Sequence, residues 1–489
     1  MVFHSLEYFF FLPIVFLVYY FCRQKYRWMV LLAASVFFYA SLQKPYLLLV
    51  LFGVILVSYF SALRIEKLDE EKAKKKVFVL GVFLNVAVLV AMKYLPFLSE
   101  NINAILQVLF RAEPLPIPPI IVSIGVSFYV FQAISYLYDV YLGIQKPEKH
   151  FGIFALYMSF FPKIMQGPIE RGRKLLPQLK QPYEFHYDNM RMGMLLIVWG
   201  LFKKVVIADR LGVIVDTVFA DIGAYSGIPL FVATYAYAFQ IYLDFSGYTD
   251  IALGSARLFN IQLTNNFNAP YFATSVADFW RRWHISFSSW LQDYLFKPLQ
   301  MKWRKWKSWG TVLALLVTFS ISGIWHGAAW TFVVWGLLHG IYLAVPVLWK
   351  AVMKKKPRKR NAKKTPWGKI FLTFNLVSFA WIFFRAGSFS EALLFFSRLF
   401  KGVPGQIASF SSLKDSLEVG LGKFDFALSV AGLSLVLLIE TRSWLRKAEP
   451  FSRLPSKHLF LRWGIYLGLC LVVLLFPFHQ NPSFLYFQF

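Results

Sequence analysis

WGTVLALLVTFSISGIWHGAAWTFVVWGLLHGIYLAVPVLWK, residues 309–350, is a long apolar stretch with two histidines, of which His326 stands near its middle. Lys302, Arg304, Lys305 and Lys307 precede it, and Lys350 and Lys354 follow it. Basic residues gather in the cytoplasmic loops of membrane proteins, so both ends belong on one side and the stretch reads as a hairpin. Its first arm, Trp309 to Ser322, spans roughly 21 Å at ~1.5 Å per residue. The hydrocarbon layer is about 30 Å thick. The turn SGIWHG is therefore expected inside the membrane, with Gly323 and Gly327 as its breakers. An ionisable ring at such depth lines a cavity or finds a partner, and marks a functional site. A neutral imidazole is suited to act as general base or nucleophile. The alternative is a core histidine bonded to a backbone carbonyl.

The rest of the chain has the same character. Of 489 residues, 58% are hydrophobic and 19% aromatic, against about 45–50% apolar in soluble domains. The excess falls in runs long enough to cross a bilayer. The net charge of +27 does not point to nucleic acid, because the cations cluster in short loops between apolar runs. CRQKYR (22–27), RIEKLDEEKAKKK (64–76), KKKPRKRNAKK (354–364) and the stretch from Arg442 to Lys457 read as cytoplasmic. Cys22 and Cys470 form neither a disulfide framework nor a metal spacing. The opening MVFHSLEYFFFLPIVFLVYYF has no basic leader or small-residue cleavage site, and reads as a retained first helix.

Helices are expected near 6–21, 28–41, 45–63, 77–95 and 120–143. The segment 151–166, broken by Pro162, is short for a span and reads as re-entrant or interfacial. Segments near 192–208 and 228–259 follow, then a polar, aromatic stretch from Leu263 to Lys307. The last third carries helices near 367–385, 424–440 and 459–477, with 386–423 and the tail HQNPSFLYFQF outside. The fold expected is an all-α polytopic membrane bundle of about eleven transmembrane helices plus re-entrant or interfacial ones. It forms a single integral membrane domain, 1–489: N-terminal helices to 150, a core over 151–350 holding the hairpin 309–350, and C-terminal helices with an extracytoplasmic tail over 351–489.

Other polar groups stand out against this background. ADFWRRWHISFSSWLQDYLF (277–296) carries His284 beside Arg281 and Arg282. The arginines suit either interface anchoring or phosphate binding, and Trp280, Trp283 and Trp290 suit an interfacial belt. QIYLDFSGYTDIALG (240–254) places Asp244 and Asp250 in apolar surroundings. Each carboxylate needs a partner; Arg281 or Arg282 are candidates, and a buried ion pair locking the bundle is the alternative to a catalytic role. His339 lies thirteen residues beyond His326 and reads as core or lining. His284, His326 and His339 lack metal-ligand spacing, so no metal is expected. No GxSxG elbow, P-loop or dinucleotide fingerprint occurs.

Taken together, FFPKIMQGPIER (160–171), YLDFSGYTDIALG (242–254), FWRRWHISFSSWLQDYLF (279–296), GIWHGAAWTFVVWGLLHG (323–340) and FLYFQF (484–489) resemble the membrane-bound O-acyltransferase family. The resemblance is to its bacterial branch, which O-acetylates cell-surface polysaccharides. It implies a catalytic His326, a second catalytic position at His284, and a cytoplasmic tunnel meeting an outer funnel at the central histidine. It implies transfer from cytosolic acetyl-CoA, a substrate rather than a bound cofactor, toward an alginate-like exopolysaccharide, peptidoglycan or cellulose. Arg281, Arg282, Trp283, Trp325, Asp244, Asp250 and His339 are the candidates for donor or substrate binding. By analogy with an aromatic tail in the D-alanylation system, Tyr486 is a candidate acyl relay. An extracytoplasmic SGNH/GDSL-type O-acetyltransferase is the expected partner, and the bacterial inner membrane the expected location. Two other readings stay open here: D-alanyl transfer to teichoic acid, and a lipid or polysaccharide transporter with no chemistry.

Overall fold

In the computed structural model the described residues are all but 43, 120–123, 182, 354–365, 447–458, 479–483 and 486–489. Among them there are helices, turns and irregular segments, and no β-strand. Six helices are long and apolar enough to cross a bilayer: Tyr46–Lys67, Glu71–Phe110, Arg304–His326, Trp330–Met353, Trp367–Arg385 and Lys423–Leu445. Leu6–Phe21 and Arg462–Leu475 are shorter and equally apolar in character. The chain is a multi-pass, all-helical membrane protein. Its contacts fall into two compact units: Met1–Ile197 with Thr249–Asn265, and Val198–Tyr248 with Asn266–Phe489.

In the first unit, Leu6–Phe21 begins where the Ser5 hydroxyl accepts the Tyr8 amide, satisfying an otherwise orphaned first-turn donor. Tyr46–Lys67 ends with Arg64 and Lys67 in its last turn, where cations offset the negative end of the helix. The next helix starts at Glu71, inside the basic loop expected over 64–76. Glu71 favours a helix N-terminus and pairs with Lys74 one turn on, at 2.9 Å. Nor does this helix stop near residue 95. Val90–Tyr94 wind as a π turn and the helix resumes as Leu95–Phe110. Pro96 thus falls in a first turn, where its missing amide is least costly.

Helix contacts in this unit rest on small and polar residues, which carry association where lipid is as apolar as the side chains. A Cβ at Gly81 would lie 2.9 Å from Ser61 Oγ and 3.1 Å from Leu137 Cδ1. Asn85, one turn along, donates to the Gly81 carbonyl at 2.7 Å and to the Ser58 hydroxyl at 3.3 Å. Phe151–Ser159 is a nine-residue helix, followed by a buried irregular run to Arg171. There the Lys163 ammonium donates to Gln132 Oε1, and Glu170 accepts the Thr264 amide and hydroxyl. Side chains also serve this non-helical backbone, as a lipid setting requires: the Phe161 amide donates to Ser35 Oγ at 3.0 Å and Tyr157 Oη donates to the Glu170 carbonyl at 3.1 Å. The returning segment ties back to the start of the chain. Tyr8 Oη donates to Ser255 Oγ at 2.8 Å and Tyr20 Oη to the Leu258 carbonyl at 2.9 Å.

The second unit has an aromatic core. Trp283, Trp335 and Trp381 are fully buried, and Trp381 stacks on Trp335 at 5.3 Å and leans on Trp283 at 5.2 Å. Around it run Asp209–Ala220, the first part of Ile228–Arg257, the hairpin Lys307–His326 with Trp330–Met353, then Trp367–Arg385 and Lys423–Arg446. Within the stretch 386–423, Phe389–Arg398 is a helix capped by Ser388. It buries Ala392 and Phe395.

The hairpin corrects the length argument made from the sequence. Its first arm is helical for 20 residues, Lys307–His326, or about 30 Å, as long as the hydrocarbon is thick. Gly323 does not break it. A Cβ at Gly323 would strike the Phe332 carbonyl oxygen, and one at Gly336 would strike that of Phe319. These glycines let two helices touch backbone to backbone, and only Gly327, in extended conformation, ends the arm.

Candidate active site

His326 is the last helical residue of the first arm and is 4% exposed. Its ring is boxed by Trp325 at 4.7 Å, Trp335 at 5.0 Å, Phe384 at 5.3 Å and Phe287 at 5.5 Å between centroids. The same Phe287 stacks on His284 at 5.0 Å. Both imidazoles thus contact one phenyl ring, and Trp325 stacks on that ring at 4.2 Å and reaches His284 at 6.1 Å. Phe245 closes the other side of His284 at 4.7 Å, edge-on.

His284 joins two short helices, Val276–Trp280 and Ile285–Leu291, with φ 43° and ψ 54°. A non-glycine residue in this left-handed region costs about 1–2 kcal/mol and needs support from its surroundings. Asn266 supplies it. Its carbonyl accepts the Ile285 amide at 3.0 Å, and its Oδ1 accepts the Ser286 amide at 3.1 Å. On the near side the Arg282 carbonyl accepts the Asn268 amide at 3.0 Å. The segment 266–268 clamps the backbone on both sides of the histidine. Burial pushes the His284 imidazole down to about 3, which favours the neutral ring.

His339 is fully buried, and its Nδ1 accepts the Trp280 indole N–H at 3.2 Å. That bond assigns the proton of the neutral ring to Nε2. Trp335 stands between His339 and His326, 5.0 Å from each. The structure therefore brings His284, His326 and His339 into one aromatic cluster. Trp325 belongs to it directly. Trp283 lies beneath, buried against Phe267, Phe279 and Trp381. The expected interfacial belt does not exist at these tryptophans, since Trp280, Trp283 and Trp290 are all buried.

The charged candidates fall elsewhere. Arg281 and Arg282 both pair with Asp278, at 3.8 Å and 3.1 Å, and the Arg281 side chain is 73% exposed. Neither is the partner of Asp244. That carboxylate takes the Lys204 ammonium at 2.7 Å, and Lys204 also holds Asp209 at 2.8 Å. Asp250 is half-buried and lies in the first unit. Tyr486 lies outside the described residues. Sequence reasoning missed Asn266, Phe287 and Lys204. The asparagine cluster in TNNFNAP (264–270) and the lysine pair inside the apolar run 192–208 were the available signals.

Two imidazoles against one phenyl ring, walled by indoles, are groups suited to general acid–base chemistry. The comparisons give that centre a lineage. The model of "MBOAT, membrane-bound O-acyltransferase family" matches residues 149–386, which hold all three histidines. A peptidoglycan O-acetyltransferase of Helicobacter pylori is 37% identical over 81% of this chain and 78% of its own. A probable alginate O-acetylase, AlgI, of Pseudomonas putida is 32% identical over 98% of both chains. A teichoic acid D-alanyltransferase of Streptococcus thermophilus is 30% identical over 53% of this chain and 68% of its own. The chain belongs to the membrane-bound O-acyltransferase family. It is an O-acyltransferase, and the reading as a transporter without chemistry falls.

Proposed function

We propose that this protein passes an acetyl group from cytosolic acetyl-CoA across the bacterial inner membrane for O-acetylation of an exported cell-surface polysaccharide. The observation that carries the chemistry is the shared contact of His284 and His326 with Phe287. The two relatives that act in O-acetylation match about four-fifths or more of the chain, the alanyl-transferring one about half, which favours acetyl over D-alanyl.

In this reading His326 takes the proton of the attacking hydroxyl as a C–O bond forms at the thioester carbonyl. The C–S bond breaks, and the proton passes to the departing thiolate, giving the ester and free CoA. An acyl-imidazole at His326 is the covalent variant of the same step. A ring N–H of His284 polarises the carbonyl. The exposed Arg281, with Arg282, holds CoA phosphates, while Trp325 and His339 shape the acyl pocket. Tyr486 of the tail accepts acetyl before an extracytoplasmic SGNH/GDSL-type O-acetyltransferase delivers it to the polymer, with 386–423 as its contact surface.

The donor is checked in inside-out vesicles given radiolabelled acetyl-CoA or a D-alanyl-charged carrier protein. Label is expected to move from acetyl-CoA into a luminal ester. Transfer from the carrier protein alone would replace this reading with teichoic acid alanylation. The relay is checked by Tyr486→Phe, which loses polymer acetylation at normal protein level; unchanged acetylation removes Tyr486 from the path.

A further inference from the structure

Phe484 is fully buried and Leu485 is 6% exposed. Phe476 and Phe478 are held as well. Arg210 donates to the Phe476 carbonyl at 3.0 Å and covers the Phe478 ring at 5.0 Å. The Phe478 amide donates to the Val205 carbonyl at 3.0 Å. The Leu485 amide then donates to Asp244 Oδ2 at 2.9 Å. The Lys204 ammonium stands 4.8 Å from the Phe484 ring, and Tyr248 meets that ring edge-on at 5.0 Å.

The charge arrangement explains why a main-chain donor fits. One ammonium, Lys204, serves two carboxylates, Asp209 and Asp244, through one oxygen of each. The second oxygen of Asp244 accepts the Leu485 N–H. Burying it without a donor is costly. An aromatic residue followed by an amide meets both demands, the ring under the cation and the N–H on the anion. Asp244 is also consecutive in its helix with Phe245, whose ring packs 4.7 Å from His284.

We propose that Lys204, Asp209 and Asp244 form a receptor for this chain's own C-terminal segment. The receptor grips the Phe484 ring and the Leu485 amide, and so holds the tail beside the acyl-transfer centre. Asp244 is thereby a tail-binding residue rather than a donor-binding one. The functional half of this inference rests on the acyl-transfer reading above; the docking half does not.

Two measurements test it on the full-length protein. Hydrogen exchange read by mass spectrometry on the C-terminal peptide is expected to show a slow Leu485 amide in the unaltered protein, and about a hundredfold faster exchange in Asp244→Asn. A fast amide in the unaltered protein overturns the docking. In the second, Leu485→Pro removes the amide that donates to Asp244. Leu485→Pro and Asp244→Asn each lower acetyl transfer about tenfold, and the double variant falls no further, since both remove one interaction. Leu485→Ala keeps the amide and loses less than Leu485→Pro. Full activity in Leu485→Pro overturns the functional half, and additive losses overturn the pairing. Should Asp244→Asn fail to accumulate, the proline–alanine contrast decides. Slow exchange at Leu485 together with persistent transfer in His326→Ala would sink the acyl-transfer reading and leave the docking standing.

Discussion

Membranes carrying His326→Ala lose acetyl transfer by about 10²–10⁴-fold, the range a positioned general base supplies. The ring is boxed by Phe287, Trp325, Trp335 and Phe384, so truncation also leaves a cavity. His326→Gln separates the two effects: it fills most of the space and carries polar atoms, but holds no proton at the required basicity. Loss in both variants, at unchanged protein level in the membrane, assigns the effect to chemistry. Recovery of transfer in the glutamine variant assigns it to packing and removes His326 from the reaction. The assay is acetyl release from acetyl-CoA, with ester formed on the polymer read in parallel.

Gly336→Leu leaves little folded protein. The first atom of any side chain at Gly336 meets the Phe319 carbonyl oxygen, with the Gly323 Cα and amide nitrogen each 3.1 Å away. All three are backbone atoms of the facing helix, so no rotamer change relieves the clash. Overpacking of a tight core costs about 1–3 kcal/mol, and here the penalty falls on the two arms that hold His326 at their junction. The measurement is the amount of monodisperse protein recovered in detergent. Gly336→Ala is expected to recover an intermediate amount. A Gly336→Leu variant that accumulates and acetylates normally would falsify the close crossing of the arms.

These two residues also show what could be read from the sequence. The apolar runs 6–21 and 367–385 became helices at those same bounds, because composition alone sets the ends of a helix flanked by polar residues. Gly323 was legible as a special position, but its role was misread. A glycine that breaks a helix and one that admits a neighbour look alike in one dimension, and only the facing glycine at 336 tells them apart. The π turn at Val90–Tyr94 was hidden for a similar reason, since Pro96 marks a helix boundary whether or not the axis continues.

Of the candidate site, the imidazoles stand out in the sequence and their supports do not. His284 and His326 stand out because polar rings are rare in such surroundings. The clamp from Asn266 serves a backbone conformation, φ 43° at His284, that leaves no mark on composition. The partner of Asp244 was expected at Arg281 or Arg282. It was Lys204, forty positions away in the chain, inside a run that hydropathy had marked as a plain span.

The ties of Tyr8 to Ser255 and of Tyr20 to the Leu258 carbonyl have a consequence for biosynthesis. Once made, the helix Leu6–Phe21 waits for partners made 247 and 238 residues later. At about 5–20 residues per second that delay is roughly 12–50 s. During it the buried hydroxyl of Tyr8 has to be sheltered by the insertion machinery or by a temporary neighbour.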